Sequence, residues 1–592
     1  MEKKLSINSE NILPIIKKWL YSEKDIFIRE LISNSSDAIS KLKTIDNNKN
    51  DSRIDIKIDK DKKTVSILDT GLGMTMEEVE KYISQIAFSG AEEFFKKYEN
   101  TTQKDQIIGH FGLGFYSAFM VSSKVEIRTQ SYLQDESSVF WQCDGSSSYT
   151  LEKIDKIKTG CEVTLYIDEE NEDFLDENKI KTILLKYCSY FTYPIYLNNE
   201  HINNKDPLWL KNPNECTDKE YLDFFKDLYP FENDPIFWIH LNIDYPFNLQ
   251  GILYFPKINS NFDLNKSQIK LFSNRVFVSD NTTDILPRFL TVLKGAIDSK
   301  DIPLNVSRSY LQVDKTIKQL SSHISKKISS KLSNLYKTEK EKFISYWPDI
   351  EIIIKLGILE DDAFYEKAKE FLIFENQNNS WTTIEEYLKR NENQNKVFYS
   401  NKNKSDALLE LYKNKEVVFL NSYIDTAIIS FLEHKLNTKF SRIDSDLDSS
   451  ILDPSKEKNL LDAEGRSLSS KIAEFIKGSL AEDVEVEAKS LTNENLSSFI
   501  MINEEERRFK DYMQFTQNTS HSVKHKLVIN TNNKLIEKIY SLQNKKPDLA
   551  KDLAQEVYDR ALINNKEFKE KDLSDFISRS SKNLEKLLDF VN

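Results

Sequence analysis

The chain has 592 residues, of which 39% are hydrophobic and 30% charged, and its formal net charge at pH 7 is −13. This length exceeds what one hydrophobic core usually supports, so we expect three to four domains. The acidic balance argues against nucleic-acid binding, and no run of about 20 apolar residues predicts a membrane span. The four cysteines lack the spacing of a disulfide framework or a zinc site. Without an apolar signal core at the N-terminus, we expect a cytoplasmic protein.

Hydrophobic periodicity divides the first part of the chain into helices followed by strands. The helices are predicted at residues 12–20, 25–43 and 76–88. The strands are predicted at residues 54–58, 64–68, 124–127, 139–141 and 162–167. This order is typical of an α+β layer in which helices cover one face of an antiparallel sheet.

Polar breaks at residues 198–206 and 441–462 predict the boundaries of further domains. Between them, strands are predicted at 236–241, 251–255 and 269–278, helices at 287–300 and 316–335, and a second α/β lobe at 362–435. From Lys471 onward the pattern is mostly that of amphipathic helix, ending with helices at 549–561 and 573–588. We therefore expect an α+β protein with domains at 1–204, 205–468 and 469–592.

Glycine is scarce in this sequence and is concentrated in one region. The chain has 13 glycines, about 2% of residues against a usual value of about 7%. Six of the 13 lie between Gly71 and Gly114. Because glycine permits positive φ and a close approach of backbone to a ligand, this clustering indicates a functional region.

Three motifs in this region carry polar or glycine residues suited to a ligand. On the helix at 25–43, Glu30, Asn34 and Asp37 fall within about 60° of one another, although an ordinary solvated stripe has the same pattern. Asp69 then ends a strand and precedes two glycines, a pattern that a tight turn also explains. Last, a glycine-rich loop ends at Gly114 and opens an apolar helix, whose free N–H groups suit phosphate oxygens. Neither a P-loop nor a Rossmann fingerprint is present.

The order of the three motifs is more specific than any one of them. Spaced over about 85 residues, they resemble the ATP site shared by gyrase, heat-shock protein 90, histidine kinases and MutL. The chain resembles the bacterial branch of the heat-shock protein 90 family most closely, along nearly its whole length. The segments that carry this resemblance are Ile26–Asn34, Ile108–Ser117 and Asp298–Arg308. The last of them favours this family over its relatives, which lack such a middle domain.

The resemblance implies an ATPase that uses ATP and Mg²⁺. It implies that Glu30 orients the attacking water, that Asn34 coordinates Mg²⁺, that Asp37 lines the pocket and that Asp69 binds the adenine amino group. It implies a catalytic role for Arg308 at the γ-phosphate. The residues expected to shape the cavity, form the phosphate lid or stand beside Arg308 are Gly71, Gly73, Met74, Gly109, Gly112, Gly114, Phe115, Asn305 and Gln312.

Three positions depart from the pattern usual in the family. Phe88 stands where a lysine is usual, Cys161 where a threonine is common, and Tyr82 where an asparagine is frequent near the ribose. These departures put the nucleotide affinity and the lid kinetics in question. They leave the expected acid, metal ligand and adenine anchor in place.

The resemblance also implies three parts: an N-terminal ATP-binding α/β sandwich, an α/β middle domain and a helix-rich α+β C-terminal dimerisation domain. It implies a homodimer that acts on unfolded or partly folded clients. The apolar segments 499–502 and 512–515 suit client contacts, with core packing as the favoured alternative. The ending Asp589–Asn592 lacks the Glu-Glu-Val-Asp tail that tetratricopeptide co-chaperones bind.

Two other functions remain open from the sequence. A phosphotransferase or topoisomerase subunit would share the ATP fold but need a phosphoacceptor histidine or an acidic metal cluster, and neither pattern is evident. A holdase with a vestigial pocket would not turn over ATP.

Overall fold

The computed structural model divides the chain into two compact units. One comprises Met1–Lys331 with Ser345–Ile350, and the other comprises Leu332–Ile344 with Glu351–Asn592. The residues that the structure describes are 23–46, 51–85, 112–133, 135–146, 148–245, 248–257, 268–280, 286–302, 315–391, 395–401, 406–422, 424–456, 466–480, 484–509, 524–565, 568 and 573–588. Among the helices within these ranges, none is long and apolar enough to cross a membrane. All four cysteines are free.

The first unit contains an eight-stranded sheet with the order β5-β4-β3-β6-β2-β1-β7-β8. Its strands are β1 (Ile54–Asp59), β2 (Thr64–Asp69), β3 (Ser122–Gln130), β4 (Ser138–Cys143), β5 (Tyr149–Ile154), β6 (Gly160–Ile167), β7 (Ile195–Leu197) and β8 (Glu200–His201). All neighbours are antiparallel except β1 and β7. Helices α1 (Ile26–Ile45), α2 (Met76–Tyr82) and α3 (Glu177–Cys188) accompany it. The α+β fold predicted from the sequence is confirmed.

Helix α1 is central to the core of this sheet. Its apolar residues Phe27, Leu31 and Ile32 are at most 3% exposed and pack in one cluster with sheet residues such as Ile67 and Leu165. A three-ten helix, Gly114–Met120, also packs against α1. The core therefore holds α1 along its length, which fixes the polar side chains that the same helix carries.

A five-stranded sheet follows in the first unit, with the order β12-β11-β13-β10-β9. Its strands are β9 (Phe237–Ile243), β10 (Leu249–Phe255), β11 (Gln268–Ser273), β12 (Val276–Ser279) and β13 (Lys294–Asp298), and helix α4 (Asp218–Leu228) precedes them. The side chain of Val276 is buried in the core of the eight-stranded sheet. Phe277 lies 5.9 Å from Tyr187 of α3, measured between ring centroids. The two sheets are thus joined by a shared apolar contact.

Two predictions for this region are wrong. The helix predicted at 287–300 is a three-ten turn, Arg288–Leu290, followed by β13, which pairs with both β10 and β11. Gly295 adopts a φ of +140° there and brings its backbone against β10, which an α-helix does not permit. The single strand predicted at 269–278 is a hairpin, whose turn residues Asn274 and Arg275 both have positive φ.

Two helices near the candidate site also differ from their predictions. Helix α2 begins with a Thr75–Glu78 capping box but ends at Tyr82 rather than at residue 88. The Tyr116 hydroxyl donates to the carbonyl of Ile83 at 2.5 Å, and this tertiary bond takes an acceptor that a longer helix would use. The apolar helix expected after the glycine-rich loop is the three-ten helix. The predicted helix at 12–20 lies outside the described residues.

Within the described residues of the second unit, three small sheets alternate with helices. The strands are β14 (Ile373–Glu375), β15 (Trp381–Thr383), β16 (Lys396–Ser400), β17 (Val417–Phe419), β18 (Lys439–Arg442), β19 (Glu485–Lys489), β20 (Ser498–Ile502) and β21 (His525–Asn530). Two helices, α5 (Lys315–Thr338) and α6 (Lys340–Glu360), have residues in both units. The helices that follow them in the second unit include α7 (Asp362–Ala368), α8 (Ile384–Arg390), α9 (Asp406–Leu411), α10 (Asp425–Leu436), α11 (Leu468–Lys477), α12 (Lys534–Leu542), α13 (Pro547–Asn564) and α14 (Leu573–Leu588). The helices predicted at 549–561 and 573–588 are confirmed as α13 and α14.

The sequence did not predict the sheet β19-β21-β20, in which β21 is the central strand. On β20, Phe499, Ile500 and Ile502 are at most 3% exposed. Their burial favours core packing over client contact for residues 499–502. The segment 512–515 lies outside the described residues.

Candidate functional site

Helix α1 places three predicted site residues on successive turns. Glu30 and Asp37 are 6% and 5% exposed, whereas Asn34 between them is exposed. Residues three and four apart share a face of a helix, so these side chains lie along one side of α1. Two buried acids with an exposed amide between them form an unusual helix face, because acidic side chains are mostly exposed in folded proteins.

The carboxylate of Glu30 is held by the residue before it. Arg29 donates from Nη2 and Nε to the Glu30 Oε1 at 2.8 and 3.1 Å, and its guanidinium lies 5.6 Å from the centroid of the Tyr187 ring. The other oxygen, Oε2, faces Gly114: a Cβ built on that glycine would lie 2.6 Å from it. One oxygen of Glu30 is therefore fixed by a charged hydrogen bond, and the other lies against the end of the glycine-rich loop.

Asp69 ends β2 and is buried, with 5% of its surface exposed. Gly71 N–H donates to its Oδ1 at 2.8 Å, and the Ser35 hydroxyl and the Cys161 backbone N–H also bond to the carboxylate. Burial nevertheless raises the pKa of Asp69 to about 7, because these bonds offset only part of the lost hydration. Asp69 is thus a buried acceptor that a further N–H donor would stabilise.

The glycines after Asp69 allow the loop to approach α1 and β3. A Cβ on Gly71 would lie 2.6 Å from that of Ala38, and Gly73 has a φ of +62°. The loop is tied down by Met74, whose backbone N–H donates to the Thr129 hydroxyl at 2.9 Å. These positions require glycine for packing and backbone conformation, so the tight-turn interpretation explains them as well as a ligand does.

Cys161 lies beside Asp69 in the sheet, because it pairs with Asp69 of β2 on one edge and with Thr129 of β3 on the other. Burial and the neighbouring carboxylate raise the pKa of the Cys161 thiol. The thiol is therefore neutral at physiological pH. Of the two departures that lie within the described residues, Cys161 directly adjoins the candidate adenine anchor, and Tyr82 is the last residue of α2.

Phe115 belongs to an aromatic cluster at the start of the three-ten helix. Its ring lies 5.4 Å from that of Tyr116 and 5.7 Å from that of Trp141, both edge to face, and it is 8% exposed. Gly112, just before, has a φ of +64°. The structure thus assigns Phe115 a packing role at the edge of the site.

The structure brings most of the predicted residues together and leaves four undescribed. Those arranged around α1 and the end of β2 are Glu30, Asn34, Asp37, Asp69, Gly71, Gly73, Met74, Gly112, Gly114 and Phe115. Gly109, Asn305, Arg308 and Gln312 lie outside the described residues, as does Phe88.

Three residues at the site were not singled out from the sequence. Arg29 was visible as a cation beside an acid on α1, but only the structure shows that it is buried and paired. Ser35 lies on the same helix, and no local pattern indicates its bond to Asp69. Thr129 lies on β3 and needs the sheet register to reach Met74.

The residues present fit an adenine nucleotide with Mg²⁺. The hydrogen bonds that Asp69 accepts do not fully compensate for the hydration that its carboxylate loses on burial. The carboxylate therefore suits a further donor, such as the exocyclic amino group of adenine. The exposed amide of Asn34 offers an oxygen, and Mg²⁺ in phosphate sites takes one or two protein oxygens with phosphates and waters completing its shell. Within the described residues no cluster of three or more His, Cys, Asp or Glu residues forms a metal site of another kind.

Comparisons with known proteins give two family matches and several curated relatives. Residues 22–171 match the family described as histidine kinase-, DNA gyrase B- and HSP90-like ATPases, and residues 198–592 match the family described as Hsp90 protein. Among the curated relatives, "Chaperone protein htpG" of Bacteroides fragilis (strain YCH46) is 41% identical over 91% of this chain and 84% of its own length. "Chaperone protein HtpG" of Porphyromonas gingivalis (strain W83) is 40% identical over 91% and 85%. That of Wigglesworthia glossinidia brevipalpis is 31% identical over 92% and 93%.

Proposed function

Because this chain belongs to the Hsp90 family, we propose that it is an ATP-dependent molecular chaperone that hydrolyses ATP to remodel partly folded client proteins. The observation that carries the proposal is the convergence of Asp69, Glu30 and Gly114 around helix α1. A buried acceptor for adenine and a fixed carboxylate beside a glycine-rich loop are the parts that binding and hydrolysis require. The match of residues 198–592 to the Hsp90 family supports a chaperone over a phosphotransferase or a topoisomerase subunit.

The proposed chemistry assigns one task to each residue. Asp69 accepts from the adenine amino group and Asp37 lines the pocket beside it. Glu30, held through Oε1 by Arg29, uses its other oxygen to orient the attacking water. Asn34 would hold Mg²⁺, which when bound offsets the negative charge of the phosphates.

The proposed cycle also involves parts of the chain beyond this site. We propose domains at 1–204, 205–468 and 469–592, with Arg308, flanked in sequence by Asn305 and Gln312, supplying positive charge to the γ-phosphate. Closure of the glycine-rich lid and of the domains commits ATP to hydrolysis. A cytoplasmic location is part of the proposal, and four free cysteines are typical of a reducing compartment.

Turnover and nucleotide binding, measured separately, test the proposed roles. We expect Glu30→Ala to bind ATP with little change but to hydrolyse it at a small fraction of the wild-type rate. Asp69→Asn should fail to bind, because the amide presents a donor where the adenine amino group also donates. Binding is measured by calorimetry and turnover by phosphate release. Equal turnover in both variants and the wild type would leave a holdase without ATP hydrolysis as the better explanation.

Helix α14 supports a homodimer through the C-terminal domain. Its polar side faces the same chain: Asn583 is 1% exposed and donates to Glu556 of α13 at 3.0 Å, and Lys586 bonds to Asp552. Its apolar side faces outward. The residues of that side, between 46% and 63% exposed, are Leu573, Ile577, Leu584 and Leu588. A helix that buries its polar side and exposes leucines is suited to a second copy.

Charge placed on each side of α14 tests the dimer. Leu584→Asp should shift the protein from dimer to monomer in light scattering coupled to gel filtration, because a carboxylate cannot be buried in an apolar interface without a partner. Lys582→Asp is the matched control, since this exposed residue lies on the other side of the helix. A dimer that persists in Leu584→Asp, or dissociates equally in the control, would contradict the assignment.

A further inference from the structure

A polar cavity of about 230 Å³ lies in the first unit, where the eight-stranded and five-stranded sheets meet. Ser36 and Ser40 of α1 line one side, and Gln250, Arg275, Asp298 and Lys300 line the other. At about 30 Å³ per water molecule, this space equals roughly seven or eight waters. None of its lining residues is among the predicted nucleotide-site residues, and its volume is large enough for a small organic molecule.

The charged groups of the cavity come from one end of the five-stranded sheet, where the parallel strands β11 and β13 both end. Arg275 lies in the turn between β11 and β12 with a φ of +65°, and its backbone N–H donates to the Asp298 Oδ2 at 3.0 Å. Asp298 is the last residue of β13, and burial raises its pKa to about 6. Lys300 follows two residues later. Two cations therefore share the cavity with one weakly acidic carboxyl group, whose negative charge backbone N–H groups already stabilise.

Neutral hydrogen-bonding groups make up most of the remaining wall, together with the apolar residues Phe191 and Leu210. Ser36 and Ser40 lie one turn apart on α1, and the Ser40 hydroxyl is 3.1 Å from that of Tyr193. The Gln250 side chain adds an amide on β10. Cations with converging hydroxyl and amide groups are the chemistry that recognises a hydroxylated anion, since charged hydrogen bonds to an oxyanion are roughly twice as strong as neutral ones.

We propose that this cavity binds a small oxyanion, a carboxylate or phosphate ester that carries hydroxyl groups, with Arg275 and Lys300 as its charge partners. The occupant would contact both α1 and the end of β13. Ser36 adjoins Ser35, which bonds to Asp69, and β13 precedes the segment that contains Arg308. A ligand that bridges these elements stabilises the observed arrangement of the two sheets over any other. It thereby changes the rate of ATP turnover, a consequence that rests on the proposed function.

Calorimetry on the full chain near neutral pH tests the site, with inorganic phosphate, glycerol 3-phosphate and citrate as probes. The phosphate and carboxylate probes distinguish the two sources of the oxyanion. We expect saturable binding of at least one probe, weakened about tenfold or more in Arg275→Gln, because a charged hydrogen bond is lost. Asp298→Asn should strengthen binding, since it removes a negative charge and keeps an acceptor for the Arg275 N–H. The exposed Arg288→Gln is the control.

The opposite signs of two variants separate an anion site from a fold defect. A structural defect would weaken binding in both Arg275→Gln and Asp298→Asn, and that result overturns the proposal. So does the absence of saturable binding for all three probes, or an equal loss of affinity in Arg288→Gln. Binding with the expected signs but unchanged ATP turnover would overturn the coupling to ATP. A failure of the ATPase itself would appear instead in the Glu30→Ala comparison, which needs no oxyanion.

Discussion

The raised pKa of Asp69 predicts that adenine binding depends on pH. Adenine donates its amino hydrogen to the ionised carboxylate, whereas burial holds the pKa of Asp69 near 7 in the ligand-free protein. At pH 8 about 90% of the molecules carry the ionised form, and at pH 6 about 10% do. Binding at pH 6 must therefore displace a proton. We expect roughly tenfold weaker affinity at pH 6 than at pH 8, about 1.4 kcal/mol.

Calorimetry with adenosine measures this effect without titrating phosphate groups. Titrations at pH 7 in two buffers with different ionisation heats count the protons released, and we expect about half a proton per adenosine bound. Ser35→Ala removes a bond that lowers the pKa of Asp69, so the midpoint of the pH dependence should move upward. An affinity that is equal at pH 6 and pH 8, with no proton release, would refute the reasoning.

Two substitutions test packing at particular distances. Gly114→Ala places a Cβ about 2.6 Å from Glu30 Oε2, so we expect ATP turnover to fall on the order of 100-fold with nucleotide affinity nearly unchanged. Gly478→Ala is the control, because the nearest atom to its Cβ is 3.4 Å away. Turnover at the wild-type rate in Gly114→Ala would contradict the contact. Lys355→Met leaves the carboxylate of Asp425, 2.5 Å from the ammonium, unpaired and buried. We expect a loss of about 3–5 kcal/mol in urea unfolding, with much of it regained when Asp425→Leu is added; a double variant no more stable than the single one would contradict the pairing.

The local patterns of the sequence predict α1 and five strands of the first sheet, β1 to β4 and β6, because each buries one regular face. They did not predict β5, β7 or β8, and β8 lies within the segment predicted as a polar break. The prediction failed at β13, where Lys294–Asp298 is short and buried on all sides and so lacks a period-two pattern. Gly295 within it was a signal against a helix. A central strand is identified by its partners, and those lie on β10 and β11, distant in sequence.

The candidate site was predictable to the extent that its residues share one helix or one turn. Glu30, Asn34 and Asp37 follow from helical spacing. The bond from Met74 to Thr129 depends on the register of β3 and β6, which no local spacing encodes. The pKa of Asp69 depends on burial by the assembled fold, so its value is a property of the tertiary structure and not of the motif.

The insertion of Val276 into the core of the eight-stranded sheet limits how the chain can be divided. A fragment ending at the proposed boundary, residue 204, would lack this side chain and the Phe277 ring beside Tyr187. The apolar surface of α3 that these side chains cover would then be exposed to water. The fragment would lose about 1.5–3 kcal/mol of folding free energy for one fully buried valine side chain. We therefore expect a fragment of residues 1–204 to be less stable than the same residues in the intact protein, and to have a lower melting temperature.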